Sequence, residues 1–102
     1  MLSSEITVDP VAMAQLCREF GVARLSVFGS AVRDDFDVER SDVDLLVEFR
    51  PEVRAGLLAL VRLEDKLTEL FDRKVDLLTP DGLSKYLRSD VLASAEPLYV
   101  SP

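Results

Sequence analysis

Apolar positions along the chain recur at two different periods, and those periods lay out its elements. Asp9-Pro10 reads as a helix start, since aspartate caps free amides and proline suits the first helical position. Met13, Leu16, Cys17 and Phe20 then follow at helical spacing and Gly21 is a stop, which predicts a helix over 10–20. Residues 23–28 alternate as a strand, with Leu25 and Val27 on one face and Ser26 and Phe28 on the other. Gly29-Ser30 follows directly, and Ser30 can cap a short helix through Ala31, Val32 and Arg33. Residues 34–41 are polar and acidic and read as an exposed loop. Residues 43–49 form a second alternating run. Asp42, Asp44, Leu46 and Glu48 share one face there, and Val43, Leu45, Val47 and Phe49 share the other.

Residues 55–71 carry the longest helical pattern. Leu60, Leu63, Leu67, Leu70 and Phe71 make its apolar stripe, with Leu57 and Val61 beside it and Arg62, Lys66 and Glu69 on the solvated side. Residues 74–78 are a third strand interrupted by one acid, Asp76, and closed by Thr79-Pro80. Short helical segments are predicted around 83–87 and 90–95. Leu98-Tyr99-Val100 reads as a last strand, a packed tail or a partner contact. The order of elements predicts a small α/β (α+β) domain, a mixed β-sheet flanked by helices, occupying residues 1–102 as one unit. The pattern does not set the strand order.

Composition narrows the chemistry. The 102 residues carry 12 Lys plus Arg against 19 Asp plus Glu, a formal charge of −7. Nucleic-acid binding through a basic footprint is not expected from such a chain, although a local site or bound cations still admit nucleotides. There is no histidine and one cysteine, Cys17, so a metal site must be built from oxygen ligands, which favours magnesium or manganese. A single thiol suits a reducing compartment. The first eight residues hold Glu5 and no base, unlike a signal peptide, and no apolar run approaches the roughly 20 residues that span a bilayer. The expectation is a cytoplasmic protein without membrane contact.

The acids supply a candidate site. Asp42 and Asp44, two apart on a strand, place both carboxylates on one face roughly 6.5–7 Å apart along the backbone. If the third strand is a neighbour, Asp76 completes a three-carboxylate cluster whose mutual repulsion a divalent cation offsets. Gly29 lets backbone approach a phosphate, Ser30 offers a hydroxyl and an N–H, and Arg33 is within reach if the short helix turns it inward. Phosphoryl and nucleotidyl transfer need this arrangement. Taken singly, each residue is a common turn, cap or surface position. Their order along the chain carries the signal.

That ordered signal, "VFGSAVRDDFDVERSDVDLLVEF" followed by "KVDLLTP", resembles the minimal nucleotidyltransferases (MNT domains) of the DNA polymerase beta-like superfamily. The resemblance implies that Gly29 and Ser30, with Arg33, bind the triphosphate of ATP. It further implies that Asp42, Asp44 and Asp76 hold Mg2+ and that Asp76 activates the acceptor hydroxyl. Members commonly place a glycine after the arginine, where this chain has Asp34, and its 34–39 segment adds four acids. Short stand-alone chains of this kind resemble the antitoxin half of HEPN/MNT toxin–antitoxin modules, and several such antitoxins transfer AMP from ATP to a tyrosine hydroxyl of a HEPN ribonuclease toxin. The expected partners are then a HEPN-family toxin and ATP, in a homo- or hetero-oligomer. Two alternatives are an antitoxin acting by contact alone and a nucleotidyltransferase for a small-molecule acceptor.

Overall fold

The computed structural model describes residues 8–28, 43–54, 56–82 and 85–101. Helix α1 (Pro10–Phe20) begins where the sequence places it: Asp9 Oδ1 accepts the Val11 N–H at 2.9 Å, and Pro10 fills the first turn. It ends because Gly21 turns left-handed at φ 71°, returning its N–H to Arg18 O at 3.3 Å. Strand β1 (Val22–Phe28) leads to the 29–42 segment, so the predicted Ala31–Arg33 helix and the acidic loop lie outside the described residues. Strand β2 (Val43–Phe49) has the predicted bounds. Helix α2 (Leu57–Phe71) starts two residues later than predicted because Gly56 is still extended, at φ −85° and ψ −178°, and serves as its N-cap.

Strand β3 (Val75–Leu78) and a single 3-10 turn at Pro80–Gly82 precede helix α3 (Lys85–Ser94) and strand β4 (Glu96–Val100). The two short helical segments expected after residue 82 are therefore one helix. The sheet order is β3-β2-β1-β4. β1 runs antiparallel to both β2 and β4, whereas β2 and β3 are parallel. A parallel pair needs a long return, and α2 supplies it: 15 residues rise roughly 22 Å, the length of a seven-residue strand.

One face of the sheet is the core. Val22, Leu25 and Val27 of β1, Val43, Leu45 and Val47 of β2, and Val75 and Leu77 of β3 pack with Met13 and Cys17 of α1 and Leu63, Leu67 and Phe71 of α2. Fully burying one such leucine stabilises the fold by about 1.5–3 kcal/mol. Leu60 and Leu70 are half-buried against this core, but Leu57 and Val61, expected beside the stripe, are 77% and 45% exposed. They lie in the first two turns of α2. The tail resolves as an edge strand: Tyr99 pairs with Leu25, and Leu98 and Tyr99 pack on the core while Val100 stays exposed. Pro97, which lacks an N–H, is tolerated because β4 is an edge.

Candidate functional site

The opposite face of the sheet holds the acids. Alternation along β2 sends Val43, Leu45 and Val47 into the core, so Asp44, Leu46 and Glu48 point the other way. In β3 the same rule buries Val75 and Leu77 and puts Asp76 and Leu78 on that second face. The β2–β3 register pairs Asp44 with Asp76 directly, and the β1–β2 register pairs Asp44 with Phe28. A row thus crosses three strands, Phe28–Asp44–Asp76. Both carboxylates spring from neighbouring strands about 4.8 Å apart. Behind them the face is closed by Ser26 and Leu46, paired across β1 and β2 and 4% and 1% exposed.

Two half-buried carboxylates at one register position suit a hard cation, which takes oxygen ligands at roughly 2.0–2.1 Å in the case of magnesium. The donor set, two oxygen-bearing side chains on neighbouring strands, fits the group. Among the described residues, no group of three His, Cys, Asp or Glu side chains is placed to hold a metal. Asp42, Gly29, Ser30 and Arg33 lie outside the described residues. Phe28 is the last described residue before Gly29, so the chain leaves β1 beside Asp44 as it enters the glycine–serine pair.

Helix α2 holds the far side of β3. As an edge strand, β3 turns alternate amides away from β2. Thr68 Oγ1 accepts the Val75 N–H at 3.3 Å, and Glu64 Oε2 accepts the Leu77 N–H at 2.9 Å. Hydrophobic periodicity does not mark these two polar residues. The legible signal is their i,i+4 spacing, each directly after a core leucine, Leu63 and Leu67.

A cleft of about 640 Å³ lies elsewhere. Val47, Phe49, Leu57, Leu60, Thr79 and Pro80 are among its lining residues, at the exit of β2 and the first turn of α2. Along β2 it begins three residues beyond Asp44, roughly 10 Å away. Glu48 and Asp81 also line it, but neither Asp44 nor Asp76 does, so the aspartate row and not this cleft is the candidate centre. Among the described residues, no helix is long and apolar enough to cross a membrane.

Comparison with known proteins fits this geometry. Residues 13–97 match the model of the nucleotidyltransferase domain family, a span that includes Asp44 and Asp76. Protein adenylyltransferase MntA of Thermococcus cleftensis is 40% identical over 86 residues, which cover 84% of this chain and 82% of that protein. The solved structure of a "putative minimal nucleotidyltransferase" superposes with a TM-score of 0.72 at 39% identity, covering 86% of this chain and 87% of that one. The fold is also similar to one chain in the solved structure of a complex between a tri-AMPylated Shewanella oneidensis HEPN toxin and its MNT antitoxin, at a TM-score of 0.63 and 22% identity, covering 90% of this chain and 70% of that one. A family match over most of the chain, joined to close relatives of nearly the same extent, leaves one conclusion: the chain belongs to the nucleotidyltransferase domain family.

Proposed function

We propose that the chain is a cytoplasmic antitoxin, folded as one domain, that transfers AMP from ATP to a tyrosine hydroxyl of a partner HEPN ribonuclease toxin and thereby neutralises it. The observation that carries this reading is the pairing of Asp44 with Asp76 on adjacent strands, in a chain 40% identical to a protein adenylyltransferase. The AMPylated HEPN toxin bound by a similarly folded antitoxin supports the choice of partner. A formal charge of −7 is consistent with a protein acceptor and unsuited to a nucleic-acid one.

In this reading Gly29 brings backbone amides against the triphosphate, Ser30 adds its hydroxyl, and Arg33 pairs with a phosphate oxygen. Asp42, Asp44 and Asp76 hold Mg2+, which when bound neutralises triphosphate charge and eases loss of pyrophosphate. The tyrosine oxygen forms a bond to the α-phosphorus as the bond from that phosphorus to pyrophosphate breaks. Asp76 accepts the phenolic proton, so the products are AMP-tyrosine, pyrophosphate and a protonated carboxyl that returns its proton to water.

The test is co-expression with the partner toxin, followed by intact and peptide mass spectrometry. The expected result is the mass of AMP on a tyrosine-containing toxin peptide, lost when Asp42→Asn and Asp44→Asn are introduced together, with transfer below about one-hundredth of the parent rate. Neutralisation that survives the double change, with no AMP on the toxin, assigns the chain to antitoxins acting by contact alone. AMP found only on a small molecule redirects the assignment to that acceptor class.

A further inference from the structure

Asp76 sits in the four-residue strand β3, at the edge of the sheet. On its inner side β3 pairs with β2 from Val43–Val75 to Leu46–Leu78, and just before the strand Lys74 O accepts the Val43 N–H at 3.0 Å. A short edge strand held on one side only frays readily. Here the outward amides on both sides of Asp76 are occupied. Val75 donates to Thr68 and Leu77 donates to Glu64, at 3.3 and 2.9 Å. The match is geometric. Four residues along a helix advance about 6 Å, and two residues along a strand advance about 6.6 Å. One helix face therefore meets two successive outward amides and leaves Asp76 between them. The Leu77 contact is charge-assisted and short, the stronger of the two.

We propose that Glu64 and Thr68 are positioning residues that lock β3 in register, so that Asp76 is held opposite Asp44 for nucleotidyl transfer. The inference rests on the function proposed above, and Glu64 carries most of the effect. Glu64 acts on Asp76 through the backbone of β3, by accepting the Leu77 N–H, and has no direct part in the chemistry. Removing a support of this kind costs about 10- to 100-fold in activity or metal affinity at comparable sites.

The experiment compares the parent with Glu64→Ala, Glu64→Gln and Thr68→Val. Gln keeps a carbonyl acceptor for the Leu77 N–H while removing the charge. Steady-state AMP transfer is measured below each variant's melting temperature. The expected result for Glu64→Ala is a fall in kcat of about 10- to 100-fold, with KM for ATP changed by less than about twofold and kcat largely restored by Gln. Thr68→Val is expected to show a smaller fall of the same kind. A second readout does not need turnover: amide exchange at Leu77 and Mn2+-induced NMR broadening at Asp44 and Asp76. Faster Leu77 exchange in Glu64→Ala, with weaker broadening at Asp76 than at Asp44, supports the lock.

Unchanged kcat in folded Glu64→Ala, or an equal loss in Ala and Gln, overturns the proposal while the assigned function stands. A parent protein that transfers no AMP overturns that function instead, and the broadening then decides the lock by itself. Equal Asp76 broadening in all variants, or none in the parent, overturns it.

Discussion

Gly21→Ala tests how the α1–β1 turn is built. Gly21 adopts φ 71°, and its carbonyl accepts the Arg50 N–H at 2.9 Å, joining the end of α1 to the exit of β2. The segment that follows β2 brings Val53 over the turn, so a β-carbon added at Gly21 would lie 2.5 Å from Val53 Cγ2. Two costs result. The left-handed conformation costs an L-residue about 1–2 kcal/mol, and pushing Val53 off its rotamer costs about 0.5–1.5 kcal/mol. Alanine also restricts the unfolded chain, which returns about 0.4–1 kcal/mol. The net loss is about 2 kcal/mol. With a urea m-value of about 1 kcal/mol/M, the midpoint should drop by about 2 M.

The chain has no tryptophan, so far-UV circular dichroism is the suitable probe. A double-mutant cycle separates the two costs. In a Val53→Ala background the rotamer cost vanishes, and Gly21→Ala should cost about 1 kcal/mol less. A midpoint change below about 0.5 M would refute the left-handed turn as a stability determinant. An equal cost in both backgrounds would refute the Val53 contact.

Leu67→Ala empties a fully buried position between α2 and the sheet and should cost about 2–5 kcal/mol, read as a fall in Tm by calorimetry. Burial pushes the Cys17 thiol from 9.0 up to about 11, so the folded state keeps a proton that the unfolded chain releases earlier. The associated stability is complete below about pH 9 and is lost as pH rises toward about 11, on the order of 2–3 kcal/mol. Urea midpoints of the parent and Cys17→Ala should therefore converge over that window, and parallel curves would contradict the assignment. Asp72 closes α2 at φ 55° with a negative charge at the helix's negative end. Asp72→Asn keeps a residue that tolerates this conformation, removes the repulsion and should raise stability by about 0.3–1 kcal/mol, less at high salt, in the same urea assay.

Much of the local structure is legible from neighbours a few residues apart. Asp9-Pro10 and Gly21 bracket α1 because capping and left-handed turning depend on those residues alone. Alternation in β2 separates Val43, Leu45 and Val47 from Asp44 and Glu48, since successive side chains of any strand face opposite ways. The order of the glycine–serine pair, the two aspartates and the later strand acid was enough to indicate the family.

What needed the tertiary structure was every relation between segments distant in sequence. Periodicity tells which face Asp76 shares with Leu78, but not that β3 lies beside β2 with Asp76 opposite Asp44. That pairing depends on α2 returning the chain across the sheet and on the register its buried leucines select. The same packing leaves Leu57 and Val61 exposed despite their place beside the apolar stripe, and gives Glu64 and Thr68 partners on an edge strand. It also makes 98–100 part of a strand by offering β1 as its partner. Local preference acts over about one helical turn or a strand's pleat. Strand neighbourhood is set by which distant surfaces bury the most apolar area together, and only the folded chain evaluates that.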